Sequence, residues 1–324
     1  MSLSSIIGQP LAVDLARQWL KREANQPLLF HGPEGTGKRT LALEMAKALN
    51  CTNKRADSCD ACNSCRKITA GNHPDVRVVN LEYQAVEREE AVAKQQTLRI
   101  ETILEERRRL LQSAVEGSWK VTIIDEAHRL TADAANVLLK ILEEPPPRTA
   151  LFLLTAFRDR LFATLLSRCQ PVRFRPLNDD EMRQVLTRLS GSDPNGDMGS
   201  DPRFARLIEL ALGSPGRALH MSRDEQIEGI REAEALWQSL PGESPASIGA
   251  RGDPSMKSAR PTRAEIEERV RRLLVPATQT LRSGDAAAAA PIRLMEEALI
   301  KLRQNVQPGL VYDYLLMQLT QQRK

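Results

Sequence analysis

The fold is decided by the stretch Gly32-Pro33-Glu34-Gly35-Thr36-Gly37-Lys38, which lies between an apolar run at residues 27–31 and a helical pattern at residues 41–47. Glycines at this spacing let consecutive backbone N–H groups turn toward phosphate oxygens, and the lysine reaches the outer phosphates. The order of strand, loop and helix is the context that this motif requires. The sequence therefore predicts a phosphate-binding loop and a nucleotide site built from these residues.

The position after Lys38 departs from the motif. A serine or threonine is expected there, because its hydroxyl binds the Mg²⁺ that accompanies the nucleotide. Arg39 stands in its place, and the hydroxyl of Thr40 points about 100° away around the helix. We therefore expect weak or absent nucleotide binding and, in this site, slow or absent hydrolysis.

A second half of an ATPase site follows the apolar run at residues 121–124. Asp125 and Glu126 come at the end of this run, where the aspartate would orient the metal and the glutamate would polarise the attacking water. Two carboxylates at a strand end can also be ordinary surface groups. Together with the phosphate loop they favour an ATPase-type site.

The first half of the chain alternates strand-like and helical patterns. Apolar runs at residues 27–31, 76–80, 120–125 and 150–155 predict buried strands, and residues 170–174 predict an edge strand. Such alternation is typical of an α/β fold with a parallel sheet covered on both faces.

The sequence predicts two helices of this half in detail. Thr131 is a predicted N-cap, and its helix should stop before Pro145. A second helix should bury Ile100, Ile103, Leu104 and Leu111 and expose the arginines at residues 107–109.

After Pro176 no strand-like run recurs, and helical periodicity takes over. The patterns starting at Ile266 and Ile292 predict amphipathic helices. Residues 191–202 and 241–261 are rich in Gly, Pro and Ser and are predicted to be loops.

Four of the five cysteines, Cys51, Cys59, Cys62 and Cys65, lie within fifteen residues. Four thiolates at short spacing can close a tetrahedral shell around Zn²⁺ and leave no open position, as in a structural zinc site. An iron–sulfur cluster or a redox dithiol explains four cysteines less well. The remaining Cys169 is expected to be a small buried hydrophobe.

Composition limits the function classes. The 324 residues are 41% hydrophobic with a net charge of +4, which predicts two or three globular domains and excludes a strongly basic nucleic-acid coat. Aromatic residues are only 4%, which disfavours a base-stacking platform. No apolar run is long enough for a membrane span and no secretory signal is visible, so we expect a cytoplasmic protein without membrane contact.

Taken together, the motifs resemble bacterial DNA polymerase III clamp-loader ATPases of the AAA+ class. The resemblance is dense from residue 7 to residue 217 and rests on the phosphate loop, the four cysteines and five further segments, at residues 70–75, 123–128, 138–146, 165–169 and 213–217. It implies an AAA+ P-loop NTPase fold, a RecA-like parallel sheet with an inserted zinc module at about residues 50–66. The implied domains are residues 1–176 for the ATPase-type domain, 177–223 for a helical lid and 224–324 for an all-α collar.

Within this family, three features favour the delta prime branch over the gamma/tau motor branch. They are Arg39, the lack of a long carboxyl-terminal extension, and the form of residues 213–217. By itself an exposed arginine is most often merely solvated, but the resemblance implies that Arg168 acts in trans as an arginine finger on a neighbouring motor subunit. It also implies that Thr155 and Arg217 occupy the two sensor positions of the nucleotide site.

The implied partners are gamma/tau and delta subunits in a hetero-pentameric ring, the sliding clamp, and primed DNA through the assembled complex. The chain's own chemistry is expected to be at most a slow ATPase, with Zn²⁺ as a structural cofactor and ATP with Mg²⁺ bound weakly. Two alternatives stay open. One is a gamma/tau-type motor ATPase, and the other is a DNA-binding zinc protein whose Lys54, Arg55, Arg66 and Lys67 contact phosphates.

Overall fold

A five-stranded parallel sheet forms the frame of the first half of the chain. The computed structural model describes residues 2–23, 25–53, 57–190, 207–208, 211–221, 224–240, 262–302 and 306–322. The strands are β1 (Leu28–His31), β2 (Val76–Val79), β3 (Lys120–Ile124), β4 (Thr149–Thr155) and β5 (Gln170–Arg173). Their order is β2-β3-β4-β1-β5, which confirms the predicted α/β class and places β5 at the edge.

Helices cover both faces of this sheet. They are α1 (Pro10–Lys21), α2 (Lys38–Asn50), α3 (Asn63–Thr69), α4 (Leu81–Glu87), α5 (Ile100–Leu111), α6 (Ala132–Glu143) and α7 (Ala163–Leu166), and a further helix, α8 (Asp179–Ser190), follows the last strand. Phe30 of β1 packs with Leu41 of α2 on one face, and Leu29 packs with Leu138 of α6 on the other. Neighbouring residues of a strand point to opposite faces of the sheet. Since helices cover both faces, β3 and β4 are buried along their whole length.

Of the two helices that the sequence predicts in detail, one agrees fully with the structure and the other in part. Thr131 caps α6 through its side chain, and the helix ends at Glu143, as predicted. In α5 the prediction was wrong at the last turn, where Leu110 is buried and Leu111 is 67% exposed. The side chain of Arg109 is turned inward by the buried Glu106, to which it is hydrogen-bonded, and by Thr122 of β3.

Backbone contacts divide the chain into two compact units. The first comprises residues 1–198 and 213–217, and the second comprises residues 199–212 and 218–324. The predicted division at residues 176 and 223 stays a prediction. The loops predicted at residues 191–202 and 241–261 lie outside the described residues.

The second unit is helical in every described segment, as the sequence predicted. Its helices span Asp224–Ser239, Arg263–Arg282, Ala289–Leu302 and Pro308–Gln322, and a short 3-10 turn covers Ala286–Ala288. Ile266, Val270, Met295 and Leu319 are fully buried in one shared core. Among the helices that the structure describes, none has the length and apolarity needed to cross a lipid bilayer.

Candidate nucleotide site, cysteine cluster and arginine finger

The phosphate loop joins the carboxyl end of β1 to the first residue of α2. Gly32, Gly35 and Gly37 have φ angles of +143°, +70° and +96°, a region that other residues rarely adopt. A Cβ at Gly32 would lie 2.2 Å from the carbonyl oxygen of Phe174, so this position has room for glycine alone. The loop therefore has the form that the motif predicts, with the N-terminus of the 13-residue α2 behind it.

Lys38 is folded back onto the loop. Its Nζ donates to the carbonyl oxygens of Gly32, at 2.8 Å, and Pro33, at 2.6 Å. Burial lowers the pKa of Lys38 to about 8, against the opposing effect of the Asp125 and Glu34 carboxylates. Thr36 adds a third internal bond, since its hydroxyl donates to the Pro33 carbonyl at 2.8 Å.

Arg39 faces the carboxylate that would hold the metal. Its Nη1 lies 3.9 Å from Oδ2 of Asp125, and about half of the arginine side chain is exposed. Burial raises the pKa of Asp125, although the nearby Arg39 acts in the opposite direction. Thr40 is the next residue of α2 and is half-buried. A fixed cation thus lies beside Asp125, on the residue that replaces the metal-binding hydroxyl.

Glu126, the other carboxylate of the predicted site, is also paired with an arginine. Nε of Arg129 donates to its Oε1 at 3.0 Å. Glu126 has a left-handed backbone, with φ of +51°, and its N–H donates to Oδ1 of Asp125 at 3.0 Å. Thr155, at the end of β4, is buried and its hydroxyl lies 3.2 Å from Nδ1 of His128. The structure therefore brings Lys38, Asp125, Glu126 and Thr155 to the same carboxyl end of the sheet.

The segment at residues 213–217 is docked directly on the phosphate loop. Oγ of Ser214 donates to the carbonyl of Glu34 at 2.8 Å, and the N–H of Gly216 donates to the carbonyl of Gly35 at 3.1 Å. A Cβ on Gly216 would lie 2.7 Å from Cα of Gly35, so the two backbones meet at a distance that only glycine permits. The N–H of Arg217 donates to Oγ of Ser214 at 3.1 Å, which places this predicted sensor residue beside the loop.

The four cysteines come together as the spacing predicted. Their Sγ atoms all lie within 4.8 Å of one another. A tetrahedral zinc shell with Zn–S bonds of about 2.3 Å places its sulfurs about 3.8 Å apart, so the group fits this ion with small adjustments. The N–H groups of Cys62 and Cys65 donate to the sulfurs of Cys59, at 3.3 Å, and Cys62, at 3.4 Å, which favours thiolate ligands.

The cysteine segment is tied to α2 by an ion-pair network centred on the buried Lys47. Nζ of Lys47 lies 2.7 Å from Oε1 of Glu44 and 2.5 Å from Oδ1 of Asp60. Oγ of Ser58 donates to the same glutamate at 3.0 Å. Sequence reasoning missed this network, because a lysine and a glutamate three residues apart on a helix usually face solvent.

The positive charges around the cluster are in part neutralised. Nζ of Lys67 contacts both carboxylate oxygens of Glu116, at 2.7 and 2.6 Å. Lys54 and Arg55 lie outside the described residues. Lys67, one of the four basic residues that the DNA-binding alternative needs for phosphate contacts, is therefore already paired with a carboxylate.

Arg168 lies at the opposite end of the sheet from the phosphate loop. It precedes β5, whose first residue, Gln170, is level with Leu28 at the start of β1, whereas His31 leads into the loop. Four residues of strand separate the two ends, about 13 Å at the usual rise per residue. Leu165 and Cys169 are buried on either side of Arg168 and fix its backbone, and burial raises the pKa of the Cys169 thiol to about 12.

The guanidinium of Arg168 is held by its own chain. Nε donates to Oε1 of Glu143 at 2.8 Å, and Nη2 lies 2.6 Å from the same oxygen. Nη1 donates to the Thr164 carbonyl at 3.1 Å and to Oγ of Ser167 at 3.3 Å. Sequence reasoning singled out Arg168 but missed Glu143 as its partner.

Comparisons with known proteins agree with these features. A family model described as DNA polymerase III, delta subunit, matches residues 8–178. The delta′ subunit of DNA polymerase III from Bacillus subtilis is 31% identical over 234 residues, which are 72% of this chain and 65% of that protein. The tau subunit of DNA polymerase III from Escherichia coli is 32% identical over 228 residues, 68% of this chain and 32% of that protein. The matched part is thus less than two thirds of each relative's length.

A solved structure shares the fold. A variant of RuvB from Thermotoga maritima has a TM-score of 0.50 and 15% identity, covering 87% of this chain and 90% of that chain. At this identity the likeness concerns the fold alone, and it agrees with the AAA+ arrangement of a parallel sheet followed by helices.

Proposed function

Because the chain belongs to the DNA polymerase III clamp-loader family of AAA+ proteins, we propose that it is a delta prime-like subunit of that assembly. In this proposal it has weak or no ATPase activity and supplies Arg168 in trans to the ATP site of a neighbouring gamma/tau subunit. It joins gamma/tau and delta subunits in a hetero-pentameric ring that loads the sliding clamp onto primed DNA in the cytoplasm.

The observation that carries the proposal is the position of Arg168. Its guanidinium is at the amino end of the sheet, whereas the phosphate loop and Asp125 are at the carboxyl end. An arginine in this place cannot reach a phosphate in its own loop, but it is available to a nucleotide on another subunit. A guanidinium supplied in trans stabilises the charge that develops on the transferred phosphoryl group.

The chain's own nucleotide site also supports a subunit that supplies an arginine to a neighbour and hydrolyses little ATP itself. Hydrolysis needs one carboxylate to orient the metal and another group to orient water. Here Asp125 is beside Arg39, and Glu126 is paired with Arg129. A metal would have to enter next to the Arg39 cation, and the glutamate would have to leave its partner before it could act on water.

A second candidate is a gamma/tau-type motor ATPase. It is favoured by the intact glycines of the loop and by Lys38, Asp125, Glu126 and Thr155, which lie together. Mg²⁺ held through Asp125 and water would then compensate for Arg39. In that case the purified chain would hydrolyse ATP, and the activity would depend on Lys38.

For the cysteine cluster we propose a structural zinc ion bound by Cys51, Cys59, Cys62 and Cys65. All four sulfurs are used, so no coordination position is left for a substrate. The ion would hold the cysteine segment against the end of α2, where Lys47 already joins it to Glu44 and Asp60.

The test is to rebuild the clamp loader with its own gamma/tau and delta subunits and to measure DNA-stimulated ATP hydrolysis and clamp loading. Arg168→Ala should leave ring assembly intact and lower turnover at the neighbouring site by on the order of 10³, as for other arginine fingers. Lys38→Ala should leave the rate nearly unchanged. Arg183→Ala, which removes an exposed arginine of α8, is the matched control.

The reverse pattern would favour the motor alternative: loss of ATPase activity with Lys38→Ala, no loss with Arg168→Ala, and robust turnover by the purified chain alone.

A further inference from the structure

The guanidinium of Arg168 is already occupied before any nucleotide arrives. Two of its nitrogens contact one oxygen of Glu143, and a third contacts the Thr164 carbonyl and the Ser167 hydroxyl. A guanidinium has five N–H donors in one plane, so these four contacts use most of them. In this arrangement the finger is oriented against its own subunit.

The Glu143 carboxylate, which holds Arg168, lies at a helix end where a negative charge is unfavourable. Glu143 is the last residue of α6, and a negative charge at a helix C-terminus is destabilised by the helix dipole. Its neighbours Ile141 and Leu142 are buried in the core below. The backbone under the carboxylate is therefore fixed, as is the backbone under Arg168, which lies between the buried Leu165 and Cys169.

The ion pair between Arg168 and Glu143 is exposed, and this exposure limits its strength. About a third of the Arg168 side chain and half of the Glu143 side chain are accessible to water. Ion pairs at such exposure contribute little to stability, so a triphosphate, with several negative oxygens and bidentate geometry, can displace the carboxylate. The contact is strong enough to orient the side chain and weak enough to be exchanged.

We propose that Glu143 is a positioning residue for Arg168, which restrains the finger until the triphosphate of the neighbouring subunit takes over the guanidinium. The proposal rests on the proposed function, because it needs Arg168 to act in trans. The restraint raises the ATP concentration needed for turnover, because the triphosphate has to displace the Glu143 carboxylate from the guanidinium.

The experiment compares Glu143→Gln with Glu144→Gln, which neutralises the adjacent exposed carboxylate, in the rebuilt clamp loader. Glu143→Gln should lower the KM for ATP several-fold and raise the rate at ATP concentrations below KM by the same factor, whereas Glu144→Gln should match the wild type. The double variant Glu143→Gln with Arg168→Ala should fall to the rate of Arg168→Ala alone, since the effect passes through the arginine. A merely structural role for Glu143 would not raise a rate.

A second readout uses the full chain without its partners. Exchange of the Arg168 Nε proton with water, followed by NMR, should be several-fold faster in Glu143→Gln than in the wild type or in Glu144→Gln. If Arg168→Ala leaves turnover unchanged, the proposed function itself is wrong. If Arg168→Ala abolishes turnover while Glu143→Gln behaves as Glu144→Gln or lowers the rate, the arginine finger stands and the restraint is wrong.

Discussion

Arg39 is the residue on which we expect nucleotide binding by this chain to depend. The loop, the lysine and the two carboxylates are all in place, and the guanidinium lies 3.9 Å from Asp125 at the position of the missing hydroxyl. A cation at that distance offsets part of the cost of burying the Asp125 carboxylate, and it lies where a metal ion bound by that carboxylate would need to enter. Nucleotide binding that depends on Mg²⁺ should therefore respond to this one side chain.

Arg39→Ser should make ATP binding dependent on Mg²⁺ and tighten it by on the order of tenfold, about 1.4 kcal/mol. The reason is that the serine hydroxyl restores a metal ligand and removes the competing charge. Calorimetric titration of the purified chain with ATP, in Mg²⁺ and in EDTA, measures the difference. Arg39→Ala is the control, because it removes the charge without supplying a ligand. Equal Mg²⁺ dependence in both variants would contradict this account.

The residues predicted from sequence are those that belong to local motifs. Lys38 and Asp125 follow strands with a recognisable pattern, and parallel strands bring their carboxyl ends together. Glu143 and Ser214 lie in motif segments, but their contacts with Arg168 and Glu34 could not be found in this way, and neither could the pairing of Arg129 with Glu126. Each acquires its role from a contact that the fold or the direction of a side chain creates. The hydrogen bond between Glu143 and Arg168, for example, joins residues that are 25 positions apart in the sequence.

At the level of elements, the cysteine segment and α2 behave as one piece. Cys51 ends α2, Cys62 caps α3, and the buried Lys47 links Glu44 of the helix to Asp60 of the segment. Without an ion, four sulfurs at this spacing have only weak mutual contacts to hold them. The segment between the helices then depends on the ion pairs of Lys47 and on a few hydrogen bonds, such as that from Ser58 to Glu44.

Removal of zinc by a chelator, or by Cys59→Ser, should therefore loosen residues 57–69 most strongly and leave the helix Arg263–Arg282 of the second unit unaffected. We expect at least a tenfold loss of hydrogen-exchange protection in α3, about 1.4 kcal/mol or more. Exchange followed by mass spectrometry measures it, alongside a zinc content of about one equivalent per chain for the wild type. Cys169→Ala is the control, since it removes a buried thiol outside the cluster and should leave the zinc content unchanged. Full zinc content in Cys59→Ser would refute the assignment.

The buried residues of a helix could be predicted from sequence where a single apolar face packs against the core. In α6 the apolar residues follow the helical period from the Thr131 cap to the end, and the predicted cap and end were both correct. The last turn of α5 was not, because Glu106 and Arg109 form a buried pair toward Thr122 of β3. Leu110, two turns after the buried Ile103, faces the core on the same side as this pair, and Leu111 is exposed. A polar network inside a helix face cannot be seen in hydrophobic periodicity.

For the whole molecule, the two units have separate cores. Residues such as Leu154 and Phe152 pack within the sheet unit, whereas Leu273 and Leu319 pack within the helical unit. The sequence predicted the change from strands to helices after Pro176. The assignment of residues 213–217 to the first unit was not predictable, because it depends on the close approach of Gly216 to Gly35.

Separate cores predict two unfolding transitions in calorimetry. Leu154→Ala and Leu273→Ala each empty a fully buried site and should each cost about 2–5 kcal/mol. At units of this size such a loss lowers Tm by roughly 5 to 15 °C, in the affected transition only. The two variants control for each other, and zinc removal should move the same transition as Leu154→Ala, because the cysteine segment is attached to α2 of the sheet unit. A single transition that both variants lower equally would mean that the two cores unfold as one.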